Sequence, residues 1–256
     1  MFNQALSDAV FPGGRRVRPI LAMLAAEVFA SSQADALAAA VTVEYLHCSA
    51  LIFDDLPAMD DAMERRGRPC LHLRYGEGIA LMTGLALINS AYRSVALRAS
   101  CNASANCKAL PELAACIAAQ ISGQAAELAP ESMEHFADAP VDRASSLLKT
   151  SALFRLALTL GPTLCNAPAS DVAALGRVGQ IFGEAYQLMD DSLDIEEDMT
   201  LLTRGRSATT AMILGCDSAR AQALHLLATL QQELPARLLD TPAVCTILQF
   251  AASLCA

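Results

Sequence analysis

The chain has 256 residues, with 18 Lys and Arg against 27 Asp and Glu, a formal net charge of −9. Its 54% hydrophobic content argues against disorder, because that much apolar surface can build a large core. The lack of a basic stripe disfavours a nucleic-acid binder, which must neutralise phosphates. The acidity is concentrated. Ten carboxylates fall in residues 54–61 and 190–198, leaving 17 acids against 18 bases elsewhere.

Abundant Ala and Leu, no Trp and only 13 Gly with 11 Pro favour an all-α chain. Helical periodicity predicts helices over 17–31, 34–56, 76–99, 108–129, 141–165, 170–195, 207–213, 217–232 and 241–254. Pro12-Gly13-Gly14 punctuates the chain before the first of these. Gly67–Pro69 breaks the chain after the first acid run, residues 100–106 read as an exposed loop, and Pro111, Pro130 and Pro140 read as turns. No linker or fixed-period repeat is visible. Several helices are apolar on most faces, which predicts one domain over 1–256, a single large bundle around a central cavity. The apolar stretch 36–53 carries Glu44 and His47 and runs into Asp54-Asp55, which argues against stable membrane insertion. Nine cysteines follow no metal-ligand spacing and read as reduced, helix-embedded thiols of a cytoplasmic protein.

The two acid runs carry the chemistry. Each follows an apolar helical stretch. In Asp190-Asp191-Ser-Leu-Asp194 the first and last carboxylates share a helix face and Asp191 lies beside them. Such crowding is unfavourable alone and favourable around a hard divalent cation such as Mg²⁺. In Asp54-Asp55-Leu-Pro-Ala-Met-Asp60-Asp61, Pro57 should end the helix and return Asp60 toward Asp54. Two such clusters across a cavity suit a diphosphate substrate. Sixteen of the 18 bases are Arg, the better bidentate phosphate ligand. They cluster in Arg15-Arg16-Val-Arg18 and Arg65-Arg66-Gly-Arg68, which points to a second anion site that uses no metal.

These segments resemble the trans-isoprenyl diphosphate synthases, in particular bacterial farnesyl and geranylgeranyl diphosphate synthases. DDLPAMDDAMERRGRP at 54–69 is similar to the first aspartate-rich motif of that family, and MDDSLD at 189–194 to the second. GGRRVRP at 13–19 is similar to GGKRxRP, with Arg15 in place of lysine, and Lys149-Thr150 to the KT pair. The resemblance implies an isoprenoid synthase fold and condensation of isopentenyl diphosphate with an allylic diphosphate. It implies three Mg²⁺ ions on Asp54, Asp55, Asp60, Asp190, Asp191 and Asp194. The same likeness places Arg65, Lys149, Thr150 and Gln187 on the allylic diphosphate and Arg15, Arg18, His47 and Arg66 on isopentenyl diphosphate, and Gln124 resembles a family position near the second motif. Asp54, Asp60, Asp190 and Lys149 would carry catalysis. Small residues at Ser49 and Ala50, with Tyr45 a turn deeper, imply a tunnel long enough for geranylgeranyl diphosphate. A shorter product, farnesyl diphosphate, and a non-catalytic subunit of a heteromeric synthase are the alternatives. A terpene cyclase fits less well, since it does not need the isopentenyl-binding arginines. The family resemblance also implies a homodimer. Only 12 residues stand before GGRRVRP where the family has some 30 or more, which implies that an N-terminal helix is absent or removed. After the second motif the usual lysines are replaced by Met199–Arg206, with Arg204 or Arg206 as their substitute, and after the first motif Gly84 is followed by Leu85.

Overall fold

A computed structural model describes residues 1–11, 13–99, 103–128, 145–193 and 209–253. Its long helices are α1 (Phe2–Val10), α2 (Val17–Glu27), α3 (Gln33–Asp54), α5 (Glu77–Ala99), α6 (Ala103–Leu128), α7 (Ser145–Leu164) and α8 (Ala169–Leu193). Between α3 and α5 lie the two-residue strands β1 (Glu64–Arg65) and β2 (Arg68–Pro69) and the short helix α4 (Leu71–Tyr75). The chain closes with α9 (Thr210–Leu214), α10 (Cys216–Thr229), α11 (Ala236–Leu239) and α12 (Pro242–Ser253).

The predicted all-α bundle is what these elements form. α7 occupies its centre, packing against α2, α3, α6 and α8. Its residues Leu153, Phe154, Leu156, Ala157, Leu158 and Leu160 are all at most 2% exposed, so its wide apolar surface reflects burial on most sides, with Arg155 on the exposed one. By length and composition α3 and α5 could each cross a membrane, yet more than half of the apolar window of α3 lies inside the bundle. Ser32 starts α3 by accepting the Asp35 N–H at 3.2 Å, a side-chain cap that satisfies one otherwise orphaned donor.

Three expectations are corrected. A helix, α1, does precede the glycine pair. Ala5 is fully buried, Leu6, Ala9 and Val10 pack with it against a second apolar cluster, and Asp8 pairs with Arg74 and Tyr75 of α4. The apolar residues Phe2, Ala5, Leu6, Ala9 and Val10 follow helical spacing, and packing on α3 and α5 holds so short a helix in place. Residues 103–106 belong to α6 rather than to a loop. Pro111 sits inside α6 instead of at a turn. Burial of Ala105, Ala109, Leu113 and Cys116 on one face keeps the helix continuous through the lost proline hydrogen bond. Pro130 and Pro140 lie outside the described residues.

The candidate active site

The first acid run turns back on itself as expected. α3 ends at Asp54, and the Asp60 N–H donates to the Asp54 carbonyl at 2.9 Å. The Asp61 N–H donates to the Leu56 carbonyl at 3.1 Å, with Asp61 in the left-handed region at φ 52°. Asp54 and Asp60 therefore stand on either side of one tight loop. The Asp54 side chain is 18% exposed, and burial raises its pKa. The Asp60 charge raises it too, while Lys149 and Arg65 oppose the shift.

Next comes the β1–β2 hairpin, whose two turn residues Arg66 and Gly67 both have positive φ, 58° and 75°. That is a type I′ turn, in which glycine is at ease and arginine is strained. The hairpin sends Arg65 back toward α3. Its Nε and Nη2 donate to Asp55 Oδ1 at 2.9 and 2.6 Å, and Asp55 is buried.

Across the loop, α6, α7 and α8 bring up a polar seam. Lys149 Nζ lies 3.5 Å from Asp54 Oδ2 and also donates to Gln124 Oε1. The Thr150 hydroxyl donates to Gln187 Oε1 at 2.6 Å, and Gln187 Nε2 donates to Asp191 Oδ1 at 2.7 Å. Asp191 is buried and Asp190, one residue earlier, is exposed. The predicted set of six metal-binding aspartates thus divides. Asp55 and Asp191 are engaged with Arg65 and Gln187, while Asp54 and Asp60 flank the tight loop. Among the described residues no three His, Cys, Asp or Glu side chains close into one metal-sized cluster. Asp194 lies outside the described residues, as does the segment holding Arg204 and Arg206.

The two arginine clusters meet at a cavity of about 220 Å³ lined by Gly14, Arg15, Arg16, Val17, Arg18, Glu44, His47, Arg66 and Tyr186. All four residues assigned to a metal-free diphosphate line it. The Arg18 guanidinium lies 4.5 Å from the centroid of Phe154 and 5.5 Å from that of Tyr186, a cation–π seat on two rings. Its Nε is buried and unpartnered, and burial lowers its pKa, with the Tyr186 and Asp190 charges opposing. A buried donor without an acceptor favours an anion that supplies one. Arg66 Nη2 lies 3.3 Å from His47 Nε2. Burial first, then Arg18, Arg66, Arg65 and Arg16, hold the His47 pKa well below the usual histidine value. His47 is therefore neutral near pH 7, and accepting from Arg66 leaves Nδ1 as its donor.

Sequence reasoning passes over Arg16, Glu44 and Tyr186. Arg16 carries a signal, since it lies inside the arginine cluster. Tyr186 carries none, because its place over Arg18 depends on how α8 packs on α7. On the α3 face leading to Asp54, Ser49 is buried and donates to the Leu46 carbonyl at 2.8 Å, while Ala50 and Tyr45 are half-buried. Phe53 packs on Gly84, where a Cβ would stand 2.6 Å from its ring, so the Gly84 position serves packing against α3.

The donors fit a hard divalent cation. They are carboxylate oxygens, and Asp54 is desolvated beside the like charge of Asp60, an arrangement that a cation relieves. Chemically, one half can receive a diphosphate with metal help and the other with arginines alone.

The polyprenyl synthetase family model matches residues 1–233. Geranylgeranyl pyrophosphate synthase 12, chloroplastic, of Arabidopsis thaliana is 31% identical over 237 residues, covering 88% of this chain and 66% of its own length. The chain spans between 60% and 66% of the length of three such plant relatives. Among solved structures, an FPP/GFPP synthase from Zymomonas mobilis aligns with a TM-score of 0.82 at 26% identity, covering 100% of this chain and 88% of that one. A geranyltranstransferase from Thermotoga maritima aligns with a TM-score of 0.80 at 26% identity, covering 99% and 88%. The chain belongs to the polyprenyl synthetase family, and its all-α bundle is the isoprenoid synthase fold.

Proposed function

We propose that the chain is a Mg²⁺-dependent trans-prenyltransferase that condenses isopentenyl diphosphate with an allylic diphosphate, giving geranylgeranyl diphosphate. The observation that carries this reading is the gathering of Arg15, Arg18, His47 and Arg66 around one cavity. A prenyl condensation needs two diphosphates held differently, because one must leave and the other must stay.

Arg65, Lys149, Thr150 and Gln187 would bind the leaving diphosphate, with Lys149 already 3.5 Å from Asp54. Three Mg²⁺ ions held by Asp54, Asp60 and Asp190 with their neighbours would neutralise charge on that diphosphate as it departs. The allylic C–O bond breaks and the isopentenyl double bond supplies the electrons for the new C–C bond. A proton then leaves the adjacent carbon for the released diphosphate. Asp55 and Asp191 orient Arg65 and Gln187, so the binding groups are fixed before substrate arrives. His47, kept neutral, donates from Nδ1 without adding a charge to the three arginines.

Small residues at Ser49 and Ala50 support a product longer than fifteen carbons. A homodimer is part of the reading, supported by the exposed apolar residues Leu81, Met82, Leu85 and Leu97 on α5. Buried single thiols at Cys48, Cys70 and Cys116 suit a reducing, cytoplasmic setting. The test is incorporation of labelled isopentenyl diphosphate with dimethylallyl, geranyl or farnesyl diphosphate, with Mg²⁺ or with EDTA. Metal-dependent formation of the twenty-carbon product is expected. A fifteen-carbon end product overturns the length assignment, and no elongation with any primer overturns the activity.

A further inference from the structure

We propose that Arg16 is a positioning residue for the metal-free diphosphate cavity: it ties the end of α1 and the glycine turn to α3, and so sets where Arg15, Arg18 and Arg66 stand. The inference rests on the reading of that cavity as the isopentenyl diphosphate site.

Arg16 lies between two arginines assigned to ligand, yet its guanidinium is already committed. Nη1 donates to Glu44 Oε1 of α3 and Nη2 to the Val10 carbonyl at the end of α1. Its Cζ lies 5.6 Å from the centroid of the Phe11 ring. Arg15 and Arg66, by contrast, are exposed, and Arg18 keeps a buried Nε without a partner. Three arginines are poised for a ligand and one is spent on the protein.

The backbone points the same way. Arg16 is the N-cap of α2 and sits in the left-handed region, φ 53° and ψ 30°. A non-glycine residue stays there only when its surroundings hold it, and such positions gather at binding sites. What holds it is the guanidinium clamp. The two glycines before it have matching reasons. A Cβ at Gly13 would overlap the Arg16 guanidinium, and a Cβ at Gly14 would stand 2.9 Å from Arg66 Nη2 and 3.0 Å from its Cζ. The turn is therefore wrapped by Arg16 on one side and Arg66 on the other. Glu44 is buried on α3, three residues and nearly one turn before His47, so the clamp also fixes the turn against the helix that carries His47.

Releasing the clamp should let residues 13–16 relax and spread the cavity's arginines, while the aspartate loop and Lys149 stay in place. The experiment compares wild type with Arg16→Gln, Arg16→Lys and Glu44→Gln, reading KM for each substrate, kcat and Tm. Arg16→Gln should raise KM for isopentenyl diphosphate about tenfold to a hundredfold, the scale of a misplacement of about 1 Å. KM for the allylic substrate should change by no more than about twofold, the ordinary context scatter of such effects. Arg16→Lys, which keeps the charge and one arm, should fall between. Glu44→Gln separates positioning from direct binding. Positioning raises KM for isopentenyl diphosphate, whereas an Arg16 that binds ligand itself would be freed and bind more tightly. Equal changes in both KM values, or a lower KM in Glu44→Gln, overturn the proposal. Should the wild type not elongate, calorimetry with inorganic diphosphate in metal-free buffer decides between the two roles. Weaker binding by Arg16→Gln and Glu44→Gln supports the clamp, and unchanged affinity overturns it.

Discussion

Gly183→Ala probes how tightly the two diphosphate-facing helices must approach. A Cβ at Gly183 would lie 2.5 Å from the Cα of Ser151, 3.0 Å from its nitrogen and 3.2 Å from its Cβ. Because two of these three atoms are backbone, no rotamer change relieves the overlap. Ordinary contact begins at 3.4 Å, so α8 must retreat from α7 by about 0.9 Å locally. One residue before Ser151, Thr150 donates to Gln187 at 2.6 Å, and Gln187 sits one turn after Gly183. Adding the retreat stretches that bond to about 3.5 Å, the distance at which it is lost. Overpacking costs about 1–3 kcal/mol, while alanine in a helix regains about 1 kcal/mol over glycine. The net is a loss of about 0–2 kcal/mol in stability, together with a larger functional loss from the displaced Gln187–Asp191 pair. Thermal unfolding and steady-state kinetics with the allylic substrate varied are the assays. A Tm above wild type with unchanged allylic KM and kcat would refute the close-packing argument.

Asp54→Ala and Asp190→Ala should each cut turnover by at least about a hundredfold while far-ultraviolet circular dichroism stays helical, as for loss of a metal-dependent charge stabiliser. Retained turnover in both would remove the metal assignment. Arg18→Met should move stability and binding in opposite directions. Losing a guanidinium with a buried, unpartnered Nε leaves Tm equal or higher, and KM for isopentenyl diphosphate rises on the order of tenfold or more. A lowered Tm with unchanged KM would show Arg18 to be structural only. His47 is held uncharged in the fold, with its pKa below the ordinary histidine value of 6.5. As pH falls below that value the unfolded chain takes up a proton that the fold does not, so stability is lost on the acid side, by at most about 1.4 kcal/mol per pH unit. His47→Gln should flatten that part of a Tm series between pH 5 and 6.5, and an unchanged slope would contradict a neutral His47 in the fold.

Much of the site is legible in sequence because its chemistry is local. The return of Asp60 toward Asp54 follows from Pro57 within six residues. The arginine clusters lie within segments of four residues, and both border the same cavity. What escapes a sequence reading depends on distant packing. Thr150 and Gln187 are 37 residues apart and meet because glycines at 179 and 183 let α8 sit against α7. The division of each aspartate pair, with Asp55 on Arg65 and Asp191 on Gln187, needs the hairpin and the seam in place. α1 carries helical apolar spacing at Phe2, Ala5, Leu6, Ala9 and Val10, but nine residues are too few to hold a helix alone and need the packing on α3 and α5. The helical place of Pro111 escapes because tertiary burial outweighs a local breaker. Arg16 is visible as a charge but not as a clamp, since the partners Val10 and Glu44 come from two other helices.

The central claim is that two diphosphates are held in two unlike halves, one with metal and one without. A crystal structure with Mg²⁺, isopentenyl diphosphate and a non-ionisable allylic diphosphate analogue tests it most directly. Mg²⁺ is expected between the analogue and Asp54, Asp60 and Asp190, with the isopentenyl diphosphate on Arg15, Arg18, His47 and Arg66 and no metal near it. Metal in the arginine cavity, or either diphosphate bound away from both halves, would contradict the claim.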